Sequence, residues 1–169
     1  MLKWKVTITD VVEEYKCVRE ATLKDIHELA PKMREADKKE ILASDNGGPT
    51  EALLLPFNFK NAKIYSGIGT KEEGVVCMFG STPTENKDYG VAWMLSSEQL
   101  FNHTKQFIKE CPYWINQMGQ GYKYLYNFVD TRNTKALRWL KFIGFNIIEE
   151  IPEYGYAKIP FYLILKEVN

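Results

Sequence analysis

The side chains in this sequence that could do chemistry are few, and most familiar constellations can be set aside at once. His27 and His103 lie far apart and belong to no His-x-x-x-His pair, so no metal is expected. Cys17, Cys77 and Cys111 contain no C-x-x-C spacing, which indicates neither a zinc site nor a disulfide framework; three reduced, mostly buried thiols are expected. A serine nucleophile lacks its Gly-x-Ser-x-Gly elbow, Gly119-Gln120-Gly121 is too short for a dinucleotide fingerprint, and no P-loop lysine motif occurs. Residues with two readings remain. Ser96 and Ser97 offer N–H groups and hydroxyls that suit a phosphate or, equally, a helix cap. Asn133 divides in the same way. Arg34, Asp37 and Glu40 gather on one helical neighbourhood, which a solvated charged face also explains. Trp93, Trp114, Trp139, Tyr122, Tyr124 and Tyr126 could floor a cleft or fill a core.

These residues must be positioned by the elements around them, and residues 124–145 are the clearest. Residues 124–129 are an aromatic and β-branched run of strand length. Asp130 to Asn133 then supplies turn and cap chemistry, with Asn133 or Thr131 placed to accept from the first-turn N–H groups. Ala136, Leu137, Leu140 and Ile143 recur on one helical face, Gly144 stops the helix, and Phe145 opens another strand. Upstream, residues 4–9 alternate like a short edge strand and 17–21 read as the first firm strand. Thr22-x-x-Asp25 resembles a capping box before Ile26, Leu29, Ala30 and Met33, and Pro31 should bend or break that helix. Residues 34–44 read as a second helix, and 49–55 as a further helical turn or two. Residues 63–69, 74–80 and 89–96 form an antiparallel meander. A capping box of Ser96 with Gln99 then opens a helix to about residue 110, which Pro112 interrupts and restarts. Residues 152–160 read as a loop before a last strand over 161–165.

Length and composition set the frame. The 169 residues, 45% apolar and 14% aromatic, suit a single domain over 1–169 with a full core. Lys plus Arg and Asp plus Glu balance at 22 each, leaving no global field to attract nucleic acid or an anionic membrane. No 18-residue apolar run occurs and the first ten residues are too polar for a signal peptide, so a soluble intracellular protein without a membrane span is expected.

The element order, with Val18-Arg19-Glu20-Ala21-Thr22-Leu23-Lys24-Asp25 at its start and Asn133-x-x-Ala136 followed by Gly144-Phe145 near its end, resembles the GCN5-related N-acetyltransferase (GNAT) superfamily across nearly the whole chain. More narrowly, READKKE, GVAWML and NFVDTRNTKALRWLKFIGF resemble a phage-encoded branch of it that includes a small internal virion protein of short-tailed phages. The resemblance implies an α/β (α+β) fold: a mixed, mainly antiparallel sheet of six or seven strands flanked by about four helices. It implies a splay between the fourth and fifth strands, diverging at Met94 and Asn127, that admits the pantetheine arm of acetyl-CoA or CoA. Backbone around Met94, Leu95, Ser96 and Ser97, with Asn133, would hold that cofactor, and Glu40 would border the acceptor cleft as a base. The implied acceptor is an amine, on a small molecule or a host protein; implied partners include other virion proteins, and the implied location is the host cytoplasm or the virion.

The chain departs from the superfamily pattern in two places. Its phosphate loop, Leu95-Ser96-Ser97-Glu98-Gln99-Leu100-Phe101, contains no glycine, and Glu98 would face the phosphates. The tyrosine that many members use to protonate the departing thiolate aligns with Trp139, whose indole is a donor only. Tyr126 is the nearest phenol to replace it. Two readings therefore stand side by side: an N-acyltransferase acting by direct transfer to a primary amine, and a non-catalytic binding or virion-associated protein with a degenerate cofactor site.

Overall fold

A computed structural model describes residues 17–169; the expected edge strand at 4–9 lies outside them. Among the described residues seven strands form one sheet. They are β1 (Val18–Glu20), β2 (Lys63–Ile68), β3 (Val75–Pro83), β4 (Tyr89–Ser96), β5 (Tyr124–Asp130), β6 (Asn146–Tyr154) and β7 (Ile159–Glu167), in the order β1-β2-β3-β4-β5-β7-β6. Every pairing is antiparallel except β4 with β5. Among the described residues the five α-helices are α1 (Leu23–Leu29), α2 (Glu35–Asp45), α3 (Pro49–Leu54), α4 (Thr104–Gly119) and α5 (Thr134–Phe142).

Helices cover both faces of the sheet. On one face Ile26, Leu29, Met33, Ile41 and Leu53 pack with Val75 and Met78. On the other, Cys111, Ile115, Met118 and Leu137 pack with Val76, Cys77, Phe79, Ala92, Leu125, Val129 and Ile164. Strand β3 lies between the two layers, so it is buried along nearly its whole length, and its first five residues, Val75 to Phe79, read as a continuous apolar run instead of an alternating one. The expected starts and stops hold at several helices. Thr22 precedes α1, where its N–H donates to the Asp25 carboxylate at 2.8 Å; residues Ala30–Lys32 tighten to a 3₁₀ turn at Pro31; and Gly144 follows α5 with φ +96°.

Three local expectations are corrected. Ser96 and Gln99 form no capping box: Ser96 is the last residue of β4, and a 3₁₀ segment, Glu98–His103, begins only after Ser97. Helix α4 runs unbroken through Pro112. An interior proline costs about 3 kcal/mol, whereas burying Cys111, Ile115 and Met118 on that helix returns about 1.5–3 kcal/mol for each large side chain, which outweighs it. Residues 152–160 are not a loop either, because β6 continues to Tyr154 and β7 begins at Ile159. Pro152 is tolerated since β6 is the edge strand, with an unpaired side that needs no donor.

Candidate functional site

The site is made by the one parallel pair. Strands β4 and β5 are paired only at Tyr89 with Tyr124, Gly90 with Leu125 and Val91 with Tyr126. Beyond Val91 they part, so the expected splay is present and opens at Ala92 and Asn127, two residues earlier on β4 than Met94. Parting strands leave backbone groups without partners. Asn127 meets that need: its Nδ2 donates to the Ala92 carbonyl at 2.7 Å, and its Oδ1 accepts from the Phe128 N–H at 2.7 Å. The vertex falls on the lone amide inside the apolar run YLYNFV.

A cavity of about 270 Å³ opens at this splay, walled mainly by apolar side chains of α4, α5 and the sheet. Among the residues expected to hold a cofactor, Met94, Ser96 and Asn133 line it; Leu95 and Ser97 do not. Leu95 packs into the α1–α3 layer, and Ser97 turns its hydroxyl to the Val76 carbonyl at 3.3 Å. Tyr126 alternates to the opposite face from Asn127 and Val129, where it joins a row of rings with Tyr89 at 6.1 Å and Phe128 at 6.2 Å. Trp139 lines the cavity, packed 5.2 Å from the Phe107 ring. Burial pushes the nearby Cys111 thiol up to about 11 even though the Trp139 indole opposes the shift, so this thiol is inert at neutral pH.

Charged groups converge where the cavity meets the carboxyl ends of β4 and β5. Helix α2 brings Asp37 and Glu40, with Arg34 just before it; the β5–α5 turn brings Asp130, Arg132 and Asn133. Asn133 sits at the N-cap of α5 without a side-chain cap bond, so the capping account gives way to a cross-link: Oδ1 accepts from Arg34 Nη2 at 3.2 Å while Nδ2 donates to Glu40 Oε2 at 3.1 Å. The local reading failed because both partners lie more than ninety residues away in sequence. Glu40 Oε2 also accepts the Asp130 N–H at 3.2 Å. Both bonds fall on one oxygen, leaving Oε1 without a protein partner among the described residues. Asp130 is held by Arg132, with Nη2 to Oδ2 at 2.6 Å.

These surroundings act on acidity. Desolvation, helped by the charges of Asp37 and Asp130, raises Glu40 to about 7, although the bonds from Asn133 and Asp130 pull the other way. Desolvation likewise raises Asp37, against Arg34 at 3.5 Å and the Ser96 N–H at 2.9 Å. A carboxyl group near 7 beside a cavity is poised to exchange a proton at neutral pH.

No protein-family model matches the chain, and no curated protein matches it in sequence at a significant level. Solved structures do. A GNAT-family acetyltransferase from Streptococcus pneumoniae aligns over 90% of this chain and 98% of its own, at 20% identity and a TM-score of 0.61. A GCN5-related N-acetyltransferase from Kribbella flavida aligns over 89% and 96%, at 14% identity and 0.63. The ribosomal-protein-S18-alanine N-acetyltransferase from Escherichia coli aligns over 90% and 93%, at 9% identity and 0.65. The chain has the fold of the GNAT acetyltransferases.

Proposed function

We propose that this protein transfers an acyl group from a coenzyme A thioester to a primary amine. The observation that carries the reading is the splay at Ala92 and Asn127 opening onto a cavity whose rim holds Glu40, raised to about 7 and with Oε1 unengaged. The cavity is open to a slender arm, and the unpaired edges of β4 and β5 beyond the vertex suit the amides of pantetheine, which can join strand backbone as an added strand does. Met94, Ser96 and Asn133 would line such an arm; once bound, the thioester supplies an activated acyl carbon. As the amine nitrogen bonds to the acyl carbon the carbon–sulfur bond breaks and coenzyme A would leave as its thiolate, taking a proton from water; Glu40 would take the proton that the amine loses, while Asn133 and the Asp130 N–H hold the carboxylate in place. Trp139 contributes packing only, and Tyr126 stands on the other face of β5. By the resemblance to a phage branch, the amine is sought on host proteins.

Thermal unfolding with acetyl-CoA tests this directly. At one hundred times the dissociation constant a true ligand stabilises by about 2.7 kcal/mol, several degrees for a domain of this size. No shift at millimolar acetyl-CoA, CoA or pantetheine would remove the reading and leave the non-catalytic one.

A further inference from the structure

Two of the amides expected to cradle a pyrophosphate are already committed. Ser96 N–H donates to Asp37 Oδ2 at 2.9 Å, and Ser97 N–H donates to the Val76 carbonyl at 2.9 Å. Side-chain donors stand at the rim as well. Arg34 is 7% exposed and lines the cavity, and its Nε has no hydrogen-bond partner. Ser96, 1% exposed, lines the cavity too, with an unpartnered Oγ. Lys135, on the first turn of α5, places Nζ 4.4 Å from the centre of the Phe101 ring. The Arg34 guanidinium is 5.3 Å from the centre of the same ring, and Lys135 makes no ion pair with a carboxylate among the described residues. Two cations thus meet at one exposed ring, and a buried N–H and a buried hydroxyl nearby carry unspent capacity, which is costly unless a ligand uses it. The opposing charges are Asp37, which offsets part of Arg34, and Glu98, close enough to act on Asp37.

We propose that Arg34 and Lys135, with the Ser96 hydroxyl, form a side-chain anchor for a phosphorylated ligand, in place of the Ser96 and Ser97 amides that the fold has already engaged. A guanidinium and an ammonium around a diphosphate are the charge-assisted pairing that this chemistry favours. Phe101 spaces the two cations and keeps them at the rim. The anchor deepens the acyl-transfer reading, since the ligand concerned is coenzyme A, and it gives that reading a phosphate contact independent of glycine.

Calorimetric titration with two probes separates the ideas: coenzyme A, and pantetheine, which has the same arm without phosphates. The anchor requires coenzyme A to bind more tightly than pantetheine, with an affinity that falls as salt is raised. Lys135→Ala should weaken coenzyme A about tenfold and leave pantetheine unchanged; Lys135→Glu should weaken it further. Lys135 is exposed, so neither change threatens folding, and Arg34→Lys adds a second test that keeps the charge but loses the fork. If pantetheine binds as well as coenzyme A, or if Lys135→Ala and Lys135→Glu leave coenzyme A within twofold, the anchor is wrong and acyl transfer stands. If neither probe binds, both proposals fall.

Discussion

Two acidic sites, one at the cavity rim and one just behind His103, respond to the fold in opposite ways. At the carboxyl ends of β4 and β5, Asp37 and Glu40 share a partly buried network, and both are pushed up, Glu40 to about 7. At the second site, Glu73 in the β2–β3 turn accepts from Asn102 Nδ2 at 2.9 Å and pairs with His103 Nε2 at 2.5 Å, and hydrogen bonding to these residues and to the Thr70 N–H brings it down to about 2. The residue type is nearly the same; the surroundings decide. Where desolvation outweighs the donors, a carboxylate is left able to exchange protons. Where donors outweigh desolvation, it becomes a clasp, here tying a hairpin turn to the 3₁₀ segment ahead of α4.

The harshest way to break this contrast is Asp37→Ala. It leaves the Arg34 guanidinium buried without its carboxylate and the Ser96 N–H without an acceptor, and should cost about 3–5 kcal/mol in denaturant unfolding. A loss below about 1 kcal/mol would mean that the network is not rigid. Glu40→Gln should instead lower the acyl-transfer rate about a hundredfold or more, with folding intact because the amide retains an acceptor oxygen for Asn133 and Asp130. The wild-type rate should rise with pH through about 7, and this limb should vanish in the variant. Asn133→Ala, which strips one bond each from Arg34 and Glu40, should destabilise by about 1–3 kcal/mol.

Stability against pH sharpens the comparison further. Glu40 is raised from an ordinary 4.5 to about 7; the unfolded chain therefore releases its proton first, and the contribution present below 4.5 is lost as pH rises toward 7. Glu73 is lowered from 4.5 to about 2, so its contribution is present above 4.5 and is lost as pH falls toward 2. Glu40→Gln should flatten the upper limb alone. Glu73→Gln should flatten the lower one, with the smallest effect of the series at neutral pH and faster amide exchange confined to the β2–β3 turn.

Much of the frame was legible locally. Periodicity placed β2, β4 and α5 to within a residue or so, because one face of each is buried and the spacing must follow the element's own repeat. The failures share a cause. At Ser96 the capping pattern lost to strand pairing and to Asp37; at Pro112 a helix breaker lost to three buried side chains; at Pro152 an edge position removed the penalty. In each case a long-range contact outweighed a local preference. Lys135 was passed over, and Asp130 and Arg132 were read only as turn chemistry, for the same reason, since their roles have no signature until their distant neighbours are known.

By itself the sequence determined the order of elements, the stop at Gly144 and the absence of glycine after β4, because these follow from residue type and short-range geometry. Only the tertiary structure decided that Asn133 bridges helices α2 and α5 instead of capping one, that the strands part at Ala92, and that Glu40 holds its proton to neutral pH. Desolvation and charge are sums over everything nearby, and what is nearby is set by the folded chain.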